Sequence, residues 1–333
     1  MDAVDALLEI ARLLERERAS RYRARAFRQA AAVLRELSEE ITGDPSRLRE
    51  QKGIGASTFE VIRQAQQGRV PDYLVELRGA VAPEVASTLR PLLRGDLHSH
   101  TEWSDGTTSI EEMAQAARAL GHRYLAITDH SPRLRVARGL SAERLREQIP
   151  LVRAQSDDAL TLFAGIEVDI LDDGALDQEP QLLAELDVVV ASVHSKLRMD
   201  GAAMTRRMIA AVSDPHVNVL GHCTGRLVQG ERGTRPASDF DARAVFAACA
   251  DNGVAVEINS RPERQDPPDE LIAIALEEGC LFSIDSDAHA PGQLSLLDHG
   301  AARAEAAGVP PERIVTTWGP NRLRAWASAE QEE

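Results

Sequence analysis

Apolar residues recur at helical spacing through the first 78 residues of the chain. The first stripe falls three or four positions apart and consists of Val4, Leu7, Leu8, Ala11 and Leu14. The next stripe has the same spacing and consists of Tyr22, Ala26, Phe27, Ala30 and Leu34. Thr42-Gly43-Asp44-Pro45 breaks the pattern, as glycine and proline do between helices. We predict an all-helical domain over residues 1–78 and a partly helical linker over residues 79–94.

From Asp96 onward, short apolar runs alternate with segments of helix length. Seven runs have the length of buried strands and cover residues 96–100, 123–128, 161–166, 187–193, 217–220, 254–259 and 281–285. Helical segments lie between the runs, among them residues 109–120, 141–154, 202–213, 239–252 and 268–279. Such alternation is typical of a parallel sheet or an α/β barrel, and seven repeats favour a closed barrel. We therefore predict an α/β domain over residues 95–328.

Several classes of protein are disfavoured by what the sequence lacks. No GxGxxG or GxxxxGK[ST] motif follows a predicted strand, so we expect no nucleotide cofactor. No apolar run approaches a membrane span, and the acidic N-terminus does not resemble a signal peptide. The widely separated Cys223, Cys249 and Cys280 form no disulfide framework. We expect a cytoplasmic protein that does not bind membranes.

Charge is distributed unevenly between the two predicted domains. The whole chain carries a formal charge of −15, of which residues 1–95 contribute +2 and residues 96–333 contribute −17. The acidic balance argues against a large nonspecific nucleic-acid surface on the second domain, although a local basic groove remains compatible with it. Carboxylates that bind metal ions also count in this balance.

Histidines and carboxylates stand at the C-terminal ends of the predicted strands. Six of the nine histidines are placed in this way, and the side chains concerned are His98, His100, His130, Glu167, His194, His222, Asp287 and His289. The C-terminal strand ends of such a barrel form one rim, where active sites are built. Nitrogen and carboxylate ligands without thiolates suit Zn²⁺, Mn²⁺ or Fe²⁺. Clustered ions activate water and clamp phosphate, so the pattern predicts phosphate-ester hydrolysis.

The segments DLHSHTEWSDG, AITDHS, GIEVDI, ASVHS, GHCTGR, VEINSRPERQD and SIDSDAH resemble, in this order, the polymerase-and-histidinol-phosphatase (PHP) domain. The resemblance implies a distorted (βα)7 TIM-like barrel with three divalent metal ions, either zinc or manganese, with iron as a further option. It assigns one ion to His98, His100, Glu167 and Asp287. It assigns a second ion to His194, His222 and the bridging Glu167. It assigns the third to Asp105, His130 and His289.

Four cations near the strand ends are candidates for binding the substrate phosphate, namely Lys196, Arg226, Arg261 and Arg264. A guanidinium fork matches phosphate oxygens, and surface ion pairing is the alternative role. Arg226 and Arg261, together with Glu167, are the predicted catalytic residues. Three further carboxylates are expected to orient metal-bound histidines from behind, namely Glu257, Asp129 and Asp285.

The segments RYRARAFRQAAAVL and KGIGASTFEVIRQAQQGRVPDYLVELR resemble the N-terminal helix-hairpin-helix domain of bacterial family X DNA polymerases. Gly53 and Gly55 let a DNA phosphate approach the backbone beside Lys52, although an ordinary helical turn has the same pattern. A run of arginines provides either further phosphate contacts or a solvated helix face, and comprises Arg16, Arg18, Arg21, Arg23, Arg25 and Arg28. The resemblance thus implies DNA binding.

The chain departs from the family X polymerases in two respects. Their palm and fingers lie between the two domains, whereas residues 79–94 leave no room for them, so we expect no polymerase activity. Val61 stands where the lyase lysine of that family aligns, which disfavours lyase activity.

Three functions stay open from the sequence. The first is a metal-dependent phosphoesterase acting at DNA 3′ ends, as a 3′–5′ exonuclease or a 3′-phosphatase. The alternative is a small-molecule phosphatase of the histidinol-phosphatase type. A non-catalytic DNA-binding adaptor is disfavoured, because all nine metal-ligand positions hold competent side chains.

Overall fold

The computed structural model describes residues 1–17, 21–80, 86–230 and 233–328. They divide into two compact units, one of residues 1–80 with residues 291–293, and the other of residues 86–290 and 294–328. Arg18 of the predicted arginine run and the Val81–Val85 part of the predicted linker lie outside the described residues, as does the side chain of Arg21.

The first unit is helical, as predicted. Its helices are α1 (Ala3–Arg16), α2 (Arg21–Glu36), α3 (Glu39–Thr42), α4 (Pro45–Arg49), α5 (Ala56–Gln66) and α6 (Asp72–Ala80). The carboxylate of Asp2 caps α1 by accepting from the backbone N–H groups of Val4 at 2.8 Å and Asp5 at 3.1 Å. The core of this unit is built from buried apolar side chains of several helices, including Leu7, Phe27, Leu48, Ile62 and Leu74.

The apolar stripe predicted for α2 is wrong at two positions. Tyr22 is 85% exposed and Ala26 is also exposed. Successive residues of a helix are about 100° apart, so Tyr22 lies about 140° around the axis from the buried Phe27. The buried face instead runs through Ala24, Phe27, Ala30, Ala31 and Leu34.

The second unit contains a parallel sheet in which the seven strands follow their order in the chain. The strands are β1 (Gly95–Asp96), β2 (Tyr124–Ile127), β3 (Thr161–Asp169), β4 (Val188–Ser192), β5 (Val219–Leu220), β6 (Ala255–Asn259) and β7 (Leu281–Asp285). Beyond β1 and β7, Ser99 and Ala288 form a parallel bridge that joins the first strand to the last. The predicted barrel is thereby confirmed.

Helices lie between the strands and after β7, and most of them pack against the outside of the sheet. They are α7 (Ile110–Ala119), α8 (Ala142–Arg153), α9 (Pro180–Leu183), α10 (Gly201–Val212), α11 (Ala242–Asp251), α12 (Asp269–Glu277), α13 (Leu297–Ala306) and α14 (Pro320–Ala327). Side chains alternate between the two faces of β2. Leu125 and Ile127 pack with the helices, whereas Tyr124 and Ala126 belong to an inner apolar cluster. Within the described residues, no helix combines the length and apolarity needed to span a bilayer.

Candidate active site

The nine predicted metal ligands converge where the barrel strands end. His98, His100 and Asp105 follow β1, and His130 follows β2. Glu167 is part of β3, in the strand segment that pairs with β4. The remaining ligands follow β4, β5 and β7, and are His194, His222, Asp287 and His289. Parallel strands bring these side chains to one end of the barrel, although they lie up to 191 positions apart in the sequence.

Glu167 lies at the centre of the cluster, and its carboxylate is buried. Its Oε1 is 3.2 Å from Nε2 of His194 and 2.9 Å from Nε2 of His222. Its Oε2 is 3.4 Å from Nε2 of His98 and 3.6 Å from Nε2 of His100. Each oxygen therefore faces a different set of imidazoles, which is the arrangement required of a bridging carboxylate.

Asp105 faces two further imidazoles of the cluster. Its Oδ1 is 3.4 Å from Nε2 of His130 and 3.2 Å from Nε2 of His289. The other ring nitrogen of His130, Nδ1, is 2.8 Å from Oε2 of Glu167. The ring of His130 thus lies between the two carboxylates and connects the third predicted ligand set to the bridging one.

The donor atoms form four overlapping groups whose members lie within 4.8 Å of one another. The groups are His100, Asp105, His130 and His289; His98, His100 and Asp287; His98, Glu167 and His222; and His130, Glu167 and His194. All nine predicted ligands occur in these groups. The overlap means that the donors are close enough to be shared between neighbouring ions.

Several donor atoms of the cluster are buried and form no hydrogen bond within the described residues. They are Nε2 of His98, both ring nitrogens of His100 and His222, Nδ1 of His130, Oδ1 of Asp105 and both carboxylate oxygens of Glu167. Buried polar atoms without partners are unfavourable and rare in folded proteins. Divalent cations would satisfy these atoms. Imidazole and carboxylate donors suit zinc, manganese or iron. The residues therefore fit the implied metals.

Charge is crowded in this buried cluster. Burial lowers the pKa of His98, but the carboxylates of Glu257 and Glu167 raise it, and the net pKa lies well above its ordinary value. Burial and the neighbouring imidazoles hold the pKa of His100 well below its ordinary value. Burial raises the pKa of Asp287, whereas the guanidinium of Arg261 lowers it, and the net pKa lies well below its usual range.

Glu257 orients two of the candidate ligands, as the sequence predicted. One carboxylate oxygen is 2.6 Å from Nδ1 of His98, and the other accepts a hydrogen bond of 2.6 Å from the backbone N–H of His222. The contact at Nδ1 leaves Nε2 of His98 facing the cluster. Carboxylate partners of this kind fix the tautomer and ring orientation of metal-binding histidines.

Asp169 has the corresponding role for His194, and the sequence analysis missed it. Its Oδ1 is hydrogen-bonded to Nδ1 of His194, whose Nε2 points at Glu167. Asp169 and Glu167 are two positions apart on β3 and so share one face of the strand. The Glu-x-Asp pattern was the signal that could have identified Asp169.

Replacement of Asp169 with asparagine is expected to weaken metal binding through His194. Removal of such an outer carboxylate typically costs about 10-fold to 100-fold in metal affinity. Competition with a chromogenic chelator measures that affinity directly. The exposed Asp158→Asn is a matched control, since Asp158 precedes β3 at the other end of the barrel and only its charge is removed. Equal affinity in the two variants would contradict this role of Asp169.

The prediction that Asp129 and Asp285 orient histidines is wrong. Asp129 accepts hydrogen bonds from the backbone N–H of Thr101 at 2.8 Å and from Nε2 of Gln148 at 2.6 Å. Asp285 accepts from the backbone N–H of Leu97 at 2.7 Å. Both carboxylates therefore hold neighbouring segments of the barrel together, and among the described residues neither is hydrogen-bonded to a histidine ring.

Two of the predicted phosphate-binding cations lie against the cluster. Arg261 donates from Nη1 to the carbonyl oxygen of Asp287 at 3.0 Å, and the same nitrogen is 3.1 Å from Nδ1 of His289. Arg264 donates from Nε to Oδ2 of Asp287 at 3.0 Å. These two guanidinium groups place positive charge beside the candidate metal ligands.

The other two cations are placed differently. Arg226 follows β5 and donates from Nε to the carbonyl oxygen of Gln265 at 2.8 Å, next to Arg264. Lys196 is 63% exposed and is paired with Asp172. The ammonium group of Lys196 is therefore in a surface ion pair, which is the alternative role considered from the sequence.

The predicted hairpin in the helical unit lies between α4 and α5. Gly53 has a φ angle of +98°, which favours glycine. The next residue, Ile54, is buried in the core, and its backbone N–H donates to the carbonyl of Gln51 at 3.0 Å. Gly55 caps α5, and its N–H donates to Oγ1 of Thr58 at 2.9 Å. Lys52 and Gly55 are exposed. The start of α5 is thus open on the surface of this unit.

Gly53→Ala is expected to destabilise the helical unit by about 1–3 kcal/mol, since a Cβ there strains the backbone and lies 3.1 Å from Cγ2 of Val33. Hydrogen exchange of the α5 amides measures this loss. Gly55→Ala is the control, because Gly55 has a φ of −90° and an added Cβ meets nothing within 4 Å. If both variants lost the same protection, the positive φ of Gly53 would not be the constraint.

Comparisons with known proteins agree with this geometry. Residues 96–261 match the family model of the PHP domain, and residues 1–69 match that of a helix-hairpin-helix domain. The DNA polymerase/3'-5' exonuclease PolX of Bacillus subtilis (strain 168) is 39% identical over 209 residues, which are 62% of this chain and 35% of that protein. The chain thus spans about one third of the length of this relative.

Two smaller proteins are also similar. The Probable phosphatase YcdX of Escherichia coli (strain K12) is 28% identical over 239 residues, covering 68% of this chain and 91% of that protein. A solved histidinol phosphate phosphatase from Lactococcus lactis, complexed with zinc, L-histidinol and phosphate, is 17% identical with a TM-score of 0.46. That comparison covers 65% of this chain and 94% of the solved one.

The family matches cover both units and include most of the candidate ligands. The chain contains a PHP domain preceded by a helix-hairpin-helix domain, and it is a metal-dependent phosphoesterase.

Proposed function

We propose that this phosphoesterase acts at the 3′ ends of DNA, as a 3′–5′ exonuclease or a 3′-phosphatase. The observation that carries the proposal is the presence, in one chain, of the buried ligand cluster and an exposed helix-hairpin-helix turn. The similarity to a protein named as a polymerase and 3'-5' exonuclease supports the same substrate class.

The cluster would hold three divalent metal ions, in the ligand sets inferred from the sequence. His98, His100 and Asp287 would bind the first, and His194 with His222 the second, with Glu167 shared between them. The third would be held by Asp105, His130 and His289. Such ions, when bound, activate water and polarise the phosphate group. Glu167 contributes a fixed negative charge whose two oxygens face separate sets of imidazoles.

The guanidinium groups beside the cluster would hold the substrate phosphate. Arg261 is anchored by Glu263 at 3.0 Å and by the carbonyl of Asp287, so its charge is held in place before substrate arrives. A preorganised cation of this kind stabilises the negative charge that develops in the transition state. Arg226 would make a second contact with the phosphate. Within the described residues, the hydrogen bonds of its guanidinium group come from Nε alone and go to backbone carbonyls.

The helical unit would hold DNA through the hairpin. Lys52 offers a positive charge, and the first turn of α5 offers backbone N–H groups that suit a phosphate oxygen. An added Cβ at Gly55 would stand in open space, so glycine at this position leaves the backbone open to a phosphate, whereas Gly53 permits the positive φ of the turn. Binding of this kind is independent of base sequence and weakens as salt rises.

A small-molecule phosphatase is the second candidate function. The observation that favours it is the similarity to the YcdX phosphatase, of which the matched residues cover 91%. The acidic charge of residues 96–333 is compatible with a small substrate as well.

Three substrates distinguish the two functions when each is incubated with the protein and Mn²⁺ or Zn²⁺. They are a 5′-labelled single strand, a 3′-phosphorylated duplex and histidinol phosphate. We expect stepwise shortening or 3′-dephosphorylation of DNA, and no reaction with His100→Ala. Phosphate release from histidinol phosphate alone would contradict the DNA function and favour the second candidate.

A further inference from the structure

The loop between β2 and α8, residues 131–140, begins directly after the candidate ligand His130. We call it the arginine loop, because it contains Arg133, Arg135 and Arg138 and no acidic residue. The backbone N–H of Leu140 donates to the carbonyl of His130 at 2.7 Å, which closes the two ends of the loop. The loop therefore projects from the same end of the barrel as the ligand cluster.

Specific contacts fix the base of the arginine loop. Arg138 has a φ of +57° and donates from its guanidinium to the carbonyl oxygens of Glu102 and Ser104. Arg144 of α8 in turn donates to the carbonyl of Arg138 at 2.9 Å. At Gly139, an added Cβ would lie 1.8 Å from the carbonyl oxygen of Ser131. These contacts hold the loop in one shape against the segment that carries Asp105.

The tip of the arginine loop is exposed and has few partners. It is a short 3₁₀ turn over Arg135–Ala137, and Val136 is 92% exposed. Within the described residues, the guanidinium of Arg135 forms no hydrogen bond or ion pair. Arg133 is 69% exposed, and its Nε is 4.0 Å from Asp177, the limit of an ion pair. Two cations and one apolar side chain are therefore available to a partner.

The charge of the loop is opposite to that of its surroundings. Residues 96–333 carry a formal charge of −17, whereas the loop carries +3. Arg135 pairs with no acid within the described residues, and Arg133 reaches Asp177 only at 4.0 Å. The exposed side chain of Val136 is unfavourable in water. A strand of nucleic acid would match both properties, because its phosphates pair with guanidinium groups and its bases offer apolar faces.

We propose that the arginine loop binds the DNA strand on the 5′ side of the nucleotide being removed. Arg133 and Arg135 contact backbone phosphates, and Val136 packs against a base. Arg135 lies five residues after His130, so their Cα atoms are at most about 18 Å apart. A DNA strand in B form has one phosphate per about 3.4 Å, so the contacts fall within about five nucleotides of the cluster. This inference rests on the proposed DNA function.

The test compares two substrates for the full-length double variant Arg133→Gln/Arg135→Gln. One is a 5′-labelled single strand, and the other is bis(p-nitrophenyl) phosphate, which is too small to reach the loop. We expect kcat/KM for the strand to fall about tenfold. The slope of log(kcat/KM) against log[salt] should become shallower by about 1.4, because two phosphate contacts are lost. Hydrolysis of the small diester should stay unchanged.

The matched control is Arg94→Gln/Arg123→Gln, which removes the same charge from exposed residues just before β1 and β2, at the other end of the barrel. If this control lost as much strand cleavage as the loop variant, net charge alone would be responsible and the loop proposal would be overturned. Unchanged strand cleavage in the loop variant would overturn it as well, while the DNA function would stand. If the wild type hydrolysed the small diester but no DNA, both proposals would fail.

Discussion

Glu167→Gln is expected to lower kcat for phosphate-ester hydrolysis by a factor on the order of 10³ or more, because the two oxygens of Glu167 face two separate sets of imidazoles. Glutamine keeps the size of the side chain but removes its charge and turns one oxygen into a donor. Bridging of two cations is thereby lost. Steady-state kinetics with bis(p-nitrophenyl) phosphate and metal analysis of the same preparation measure both consequences.

Glu147→Gln is the matched control for this variant. Glu147 is an exposed residue of α8, and the same chemical change there should leave rate and metal content unaffected. Circular dichroism shows whether Glu167→Gln keeps the fold. A folded Glu167→Gln protein with the wild-type rate and metal content would contradict the central position of Glu167.

Arg261→Gln is expected to lower kcat/KM by about 10²-fold to 10³-fold while the metal content stays near that of the wild type. The guanidinium is held beside Asp287 and His289 and is not itself a metal donor. Loss of one preorganised group that stabilises developing charge typically has an effect of this size. Kinetics with the small diester, together with metal analysis, separate the loss of the cation from loss of the ions.

Arg243→Gln removes the same charge from an exposed surface pair with Glu277 and should have no measurable effect on rate. Two results would contradict the role given to Arg261. One is an unchanged rate. The other is a loss of rate that follows a loss of metal, which would mean that Arg261 acts only by supporting Asp287.

The fold was largely predictable from the sequence because the barrel follows a simple periodic pattern. The run 281–285 was predicted and found as β7, and the other strands begin or end within a few residues of the predicted runs. Buried parallel strands are continuous apolar runs, which are visible in the order of residues along the chain. The candidate ligands followed from the same pattern, since the residues that terminate such strands meet at one rim.

The details that escaped prediction depend on three-dimensional packing. The buried face of α2 is chosen by the helices that pack against it, so the exposure of Tyr22 could not be read from spacing alone. Asp129 precedes a ligand, yet its carboxylate faces Thr101 and Gln148. The sequence predicts which residues lie at a strand end. Which of their side chains face the cluster depends on the hydrogen bonds around that end, and these cannot be predicted from residue spacing.

Titration of metal into chelator-treated protein tests the central claim most directly, because it follows bound metal and hydrolysis together. The measurement counts Mn²⁺ or Zn²⁺ equivalents per chain and records the rate on bis(p-nitrophenyl) phosphate at each step. We predict no hydrolysis without metal and a rate that reaches its maximum as binding saturates at three ions per chain. Full hydrolysis by protein that holds no metal would contradict the role of the histidine and carboxylate cluster.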